Sequence, residues 1–174
     1  MAADRYTRTA RALHWLVALG IATAVAMALS FDGLPLSPHK IRLINFHKWA
    51  GLTVLWLAAL RLAWRLRHRP PALPGQLPRW EQRAAHGAHA LLYVLMFVTP
   101  LLGWWLSSAK GFPLRYLGLV PLPDLAAKDR AVAEMVQPLH ALAAWSLVGL
   151  AAAHVAATLK HQVLDHVNLL RRMV

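Results

Sequence analysis

The 174-residue chain has no cysteine, so disulfides, thiolate-ligated iron–sulfur clusters and thioether-attached haem are all excluded. Acids are scarce as well: seven Asp and Glu stand against 19 Lys and Arg, for a formal net charge of +12. In a soluble protein that balance would raise nucleic acid as a partner. Here the cations sit at the ends of apolar runs, which fits anionic lipid headgroups and the setting of orientation, and no nucleic acid partner is expected. Charged residues make up only 15% of the chain and hydrophobic ones 58%.

Several uninterrupted apolar runs reach roughly 20 residues, the length one membrane crossing requires. The reading is an all-α integral membrane four-helix bundle, one domain over residues 6–172 with a tail at 173–174. Spans are expected at about 12–31, 46–66, 84–107 and 138–160. No cleavable leader is expected, because the first run follows Arg5, Arg8 and Arg11 and is long enough to stay as a span.

The connection 67–83 holds four prolines and four arginines, so an extended, solvent-facing linker is expected there. Pro100 should kink the third span. Residues 112–122 are too apolar for an ordinary solvated loop and read as lying on the membrane surface or over a pocket. Four crossings put both termini and the 67–83 linker on one side. That side carries 12 of the 19 Lys and Arg, the other seven, so both termini are expected in the cytoplasm.

Histidine placement narrows the function. In the apolar run 136–162, His140 and His154 are separated by 14 positions. At 1.5 Å and 100° per residue this is about 21 Å along the helix and within roughly 40° of one face. With alternating span directions, His14 and His154 fall near the inner face and His47 and His140 near the outer face. One histidine at a membrane boundary is ordinarily an interfacial polar residue. Four matched in depth and facing suit two six-coordinate b-type haems held between helices.

Arg61 lies 14 positions after His47, at the depth of the inner pair, where a haem propionate would need a cation. Gly51 and Gly103 could admit a flat macrocycle close to the backbone, although glycine is also a common packing residue between membrane helices. His86 and His89 lie near the inner surface and could replace His14 or His154 as ligands. His39, His68 and His166 read as solvated. Trp15, Trp49, Trp64, Trp104 and Trp105 read as an interfacial aromatic belt, and Trp56 and Trp145, nearer the midplane, as packing residues or as rings between two haems.

Four segments, YTRTARALHWL, HKWAGLTVLWLAALRLAWRL, HGAHALLYVLMFVTPLLGWW and HALAAWSLVGLAAAHVAATLKHQ, together resemble the bacterial diheme cytochrome b-561 family, which is related to the cytochrome b subunits of nickel–iron hydrogenases. The likeness runs from about Tyr6 to Arg172. It implies a multi-pass protein of the bacterial inner membrane with two non-covalent b haems, ligated at His14, His47, His140 and His154, and electron exchange with quinone. It also implies the activity of one branch, oxidation of superoxide outside with ubiquinone as acceptor. Members commonly carry a second histidine after the Lys-His that closes span four, where this chain has Gln162.

On that reading Lys40, Arg42, Lys48, Lys110 and Arg115 gather around the outer haem and would raise the local concentration of superoxide, unless they are ordinary boundary cations. His161, Lys160, His89 and His86 are the inner candidates for proton donation and charge stabilisation at a quinone. An alternative keeps the haems but makes the chain the membrane anchor of a partner dehydrogenase, passing electrons from the partner's iron–sulfur centre to quinone. A haem-free transporter or metal carrier fits less well, because the paired histidines have no carboxylate nearby in the apolar spans.

Overall fold

The computed structural model describes residues 5–72 and 76–174. Four helices dominate: α1 (Arg8–Phe31), α2 (Pro38–Arg67), α3 (Arg79–Ala109) and α4 (Arg130–Val163), each long and apolar enough to cross a membrane. Three of the four starts carry a side-chain cap. Thr7 Oγ1 accepts from Ala10 N, Ser37 Oγ accepts from Lys40 N with Pro38 opening the helix, and Asp129 accepts from Ala131 N and Val132 N.

Caps at Ser37 and Asp129 account for the early starts of α2 and α4, whereas Pro78 before α3 makes no side-chain cap. α2 starts at Pro38 and not near 46, α3 at Arg79 and not near 84, and α4 at Arg130 and not near 138. Apolar runs mark the part of a helix inside lipid, whereas capping residues mark where the helix begins. At 30 and 34 residues, α2 and α4 are about 45 and 51 Å long and overrun an apolar core of about 30 Å. His39 accordingly lies in the first turn of α2, exposed. The expected extended linker shrinks to the residues before Arg79, and its positions 73–75 lie outside the described residues.

α1 packs along α2 and α3 along α4, and α2 joins the two pairs by packing on α3. Among the described residues no Cα of α1 or α2 comes within 8 Å of α4. An apolar layer of Val17, Ala58, Leu95, Met96, Ala143 and Leu147 fills the middle, with contributions from all four helices. Gly20 lets α1 approach α2 closely, since a Cβ there would stand 2.8 Å from Val54 Cγ2. Around this thin core the bundle turns large apolar side chains outward, Leu19 at 65% and Leu142 at 66% exposure among them. In water such a surface would aggregate; in lipid it is the matching one. Trp56 and Trp145 also point outward, at 47% and 61% exposure, so neither lies between the facing histidines.

The apolar connection after α3 folds back as a cap. A two-residue-per-strand hairpin, β1 (Arg115–Tyr116) with β2 (Val120–Pro121), turns through Leu117 and Gly118 at φ 54° and 75°. Leu114 is buried against Leu52 and Leu55 of α2. Trp49 Nε1 donates to Arg115 O at 2.7 Å, Trp104 Nε1 donates to Pro123 O at 3.0 Å, and Thr53 Oγ1 lies 2.8 Å from Tyr116 Oη. Two tryptophans of the expected belt therefore also tie this cap to the helices.

At the opposite end the two tails meet. Tyr6 N donates to Arg172 O at 3.2 Å, Trp15 Nε1 donates to Met173 O at 2.9 Å, and the Arg11 guanidinium donates to Val174 O.

Gly20→Leu should lower the thermal unfolding temperature of the detergent-solubilised protein, because overpacking a close helix contact costs about 1–3 kcal/mol. Gly149→Ala, whose Cβ would meet nothing within 4 Å, should leave it unchanged or raise it slightly. Equal melting temperatures for the two variants would contradict the close α1–α2 approach.

Candidate haem centres

Two imidazole pairs face each other across the bundle. His47 of α2 and His140 of α4 have ring centroids 6.1 Å apart, and His14 of α1 and His154 of α4 have centroids 6.4 Å apart. Two trans imidazoles on one metal, with metal–nitrogen bonds of about 2 Å and a ring half-width on each side, place their centroids roughly 6–6.5 Å apart. The helices carrying each pair have no close backbone approach, so the imidazoles bridge a gap that their own backbones leave open. Spacing and donor type both fit bis-imidazole ligation of iron.

The His47–His140 pair is held in a tautomer suited to that role. His47 Nδ1 lies 2.8 Å from Ala24 O of α1, and His140 Nδ1 lies 3.0 Å from Thr99 O of α3. A carbonyl can only accept, so each Nδ1 carries the proton and donates it. Each Nε2 is left with its lone pair, the arrangement in which outer hydrogen bonds orient metal-binding histidines. Gly103 makes the second of these bonds possible. A Cβ at 103 would stand 3.0 Å from His140 Cε1, so the ring rests against bare backbone. Gly103 thus seats the imidazole, whereas the space beside Gly51 is open, with nothing within 4 Å of its would-be Cβ.

The His14–His154 pair is differently arranged. Arg61 Nη1 lies 2.8 Å from His14 Nδ1, and since guanidinium can only donate, this nitrogen accepts. His89 of α3 joins the group, its ring centroid 5.2 Å from that of His154. Three imidazoles and one guanidinium therefore meet at this level. His86 is exposed and has no ring contact with the cluster among the described residues. The apolar layer that includes Val17, Ala58 and Leu147 lies along the same helices between the two histidine levels.

Lys160 and His161, at the end of α4, form a further group. Lys160 Nζ is 2.8 Å from both Glu81 Oε1 and Asp165 Oδ2, and His161 Nδ1 is 2.6 Å from Asp165 Oδ2. Lys160 and then His161, bonding to Asp165, hold its carboxyl below the usual carboxylate range. Glu81, His161 and Asp165 are close enough to surround a cation, but Lys160 already supplies one. At the hairpin end Lys110 Nζ donates to Gln137 Oε1 at 2.7 Å, Lys48 Nζ lies 5.6 Å from the centre of the Phe112 ring, and Arg115 is exposed. Lys40 Nζ donates to Leu34 O, and Arg42 is exposed.

Nothing in the sequence marks Ala24 and Thr99, because their contribution is a backbone carbonyl. The only available signal was a small residue, Gly103, one turn after Thr99. Glu81 and Asp165 were also missed, being separated in sequence from the histidine they flank or lying past the end of the span.

If each facing pair holds a haem, replacing His154 with alanine should lower the haem content per chain, read from the absorption spectrum and haem quantification, without emptying the site at His47 and His140. His14→Ala should do the same and His89→Ala should not. The reverse result would assign the inner ligand to α3.

The chain's sequence matches the family model described as prokaryotic cytochrome b561 over residues 5–174. It is 31% identical over 180 residues to cytochrome b561 homolog 2 of Escherichia coli (strain K12), covering 98% of this chain and 92% of that protein. Identity to cytochrome b561 homolog 1 of the same organism is 30% over 174 residues, covering 98% and 97%. A protein of Yersinia pestis named probable superoxide oxidase CybB is 28% identical over 165 residues, covering 92% and 91%. With a bis-imidazole geometry suited to b-type haem inside four membrane-spanning helices, the chain belongs to the prokaryotic cytochrome b561 family, whose members carry electrons in the bacterial inner membrane.

Proposed function

We propose that this chain holds two b haems and moves electrons through the membrane from superoxide on the outer side to ubiquinone at the inner side. The observation that carries this reading is the pair of facing histidine couples at opposite ends of one bundle. Similarity to a protein named probable superoxide oxidase supports the choice of donor. The excess of cations on the side bearing both tails supports a cytoplasmic location for the termini.

In this reading His47 and His140 hold the outer haem, and His14 and His154 the inner one. When bound, the haems supply one-electron oxidation and reduction at the two levels. The residues do the rest. Ala24 O and Thr99 O keep the outer imidazoles pointed through Nε2. Ligation by His14 through Nε2 requires a proton on its Nδ1, so Arg61 must give up that nitrogen, and its guanidinium is then available to a propionate.

Each superoxide that loses one electron leaves as dioxygen, and two such electrons with two cytoplasmic protons convert ubiquinone to ubiquinol. Lys48 and Arg115, with no carboxylate partner among the described residues, attract the anionic donor. His161 is placed to hold and pass a proton, oriented by Asp165, while Glu81 and Asp165 balance Lys160. His89, beside His154, is the nearer of the two α3 histidines to the inner level and can serve the same proton path.

Purified protein given an enzymatic superoxide source and a short-chain ubiquinone should form quinol, with haem reduction preceding it. Lys48→Gln with Arg115→Gln should slow the superoxide-dependent step roughly tenfold at low salt and flatten its salt dependence, the signature of lost steering. A quinol yield equal to that of a protein-free control would refute the reading. Reduction only by a co-purified dehydrogenase would make the chain a membrane anchor instead.

A further inference from the structure

The end of the bundle that carries both tails has a cavity of about 250 Å³, one wall of which is Arg61, the residue bonded to His14. Distant parts of the chain build it, with Arg5 coming from the N-terminal tail, Arg61, Trp64 and Arg65 from the end of α2, Arg69 from the linker and Tyr93 from α3. The walls are fixed. Trp64 Nε1 donates to Thr7 Oγ1 at 2.9 Å, His68 stacks on Trp64 with centroids 3.9 Å apart, and Arg172 Nη2 donates to Ala72 O at 2.7 Å. The guanidinium carbons of Arg61 and Arg65 lie 5.7 and 5.9 Å from the centre of the Tyr93 ring.

Four guanidiniums therefore line one small cavity, and none of the described residues lining it is acidic. Among the described residues, none of the four has a carboxylate within ion-pair distance. The neighbouring acids at this end, Glu81 and Asp165, are engaged by Lys160 and His161. Gathering like charges without a counter-ion is unfavourable, and an anion in the cavity removes the penalty.

The cavity is smaller than the roughly 300–1,000 Å³ typical of cofactor pockets, which suits a headgroup and not a macrocycle. Guanidinium forks match phosphate oxygens in pairs. Basic pockets between membrane helices at the headgroup level are suited to anionic lipid, and Trp64 and Tyr93 supply the interfacial aromatic rings. We propose that this cavity binds the phosphate group of an anionic membrane lipid, with Arg5, Arg65 and Arg69 as the primary contacts and Arg61 as the wall shared with His14. Occupancy would also hold the N-terminal tail, α2 and the linker together, since each contributes an arginine.

The test uses the full, haem-loaded chain in nanodiscs of phosphatidylcholine with or without phosphatidylglycerol, read by lipid retention in native mass spectrometry and by thermal unfolding. Wild type should retain phosphatidylglycerol selectively and melt at a higher temperature in its presence. Arg65→Gln with Arg69→Gln should weaken retention about 30-fold, at roughly fivefold per basic residue near a membrane surface, with haem content unchanged. Arg65→Lys with Arg69→Lys should keep most of the affinity, which separates lost charge from a folding defect.

Inorganic phosphate added to phosphatidylcholine discs tests the other source of the same group. A rise in melting temperature with phosphate but not with phosphatidylglycerol would overturn the lipid assignment in favour of a soluble phosphate. Wild type that shows no preference for the anionic lipid overturns the proposal, whatever the variants do. Loss of one haem in the glutamine double variant with lipid retention intact would overturn it too, making the cavity a propionate site.

Discussion

Two couples of imidazoles facing across gaps between helices that do not otherwise meet are the constraint on which the rest of this structure depends. α4 has no close backbone contact with α1 or α2 among the described residues, yet it presents His140 to one and His154 to the other. A histidine in an apolar bundle must satisfy a donor and an acceptor. In His47 and His140 the donor is spent on a neighbouring helix's carbonyl, which leaves the other ring nitrogen of each as an acceptor, with the two ring centres 6.1 Å apart. Two lone pairs cannot satisfy each other. A metal between them resolves the conflict, and b-type haem is the group the family carries.

The packing serves this arrangement by keeping the two levels apart. Val17, Ala58, Ala143 and Leu147 fill the centre with apolar volume, and the helices keep their large side chains for the lipid. Gly20 and Gly103 stand where helix meets helix and where helix meets imidazole, and in both places a side chain would strike a neighbour within 3.0 Å. The two ends are finished differently. One end is closed by a hairpin tied down by Trp49 and Trp104, and the opposite end by two tails hydrogen-bonded to each other.

Much of this was legible in the sequence, because membrane helices announce themselves by length and apolarity, and histidines inside them are rare enough for depth alone to sort them. What was not legible has specific causes. Helix starts at Pro38 and Arg130 were hidden because Lys40 and Arg42 in α2, and Arg130, Glu134 and Pro138 in α4, break the apolar run near the start, although Ser37 and Asp129 are ordinary capping residues. The tautomers of His47 and His140 depend on the carbonyls of Ala24 and Thr99, which any residue would provide. Gly103 was read as room for a macrocycle, whereas the structure rests the His140 ring on it. The arginines of the inner end read as topology signals, and their shared cavity emerges only once the N-terminal tail and the linker fold over the end of α2.

In the proposed arrangement each facing couple grips one iron through two imidazoles. Electron paramagnetic resonance of the oxidised wild-type protein, combined with haem quantification per chain, tests it most directly. Bis-imidazole ligation at both levels predicts two low-spin, six-coordinate b haems in each polypeptide. A single haem, or a high-spin signal from a five-coordinate iron, would contradict it.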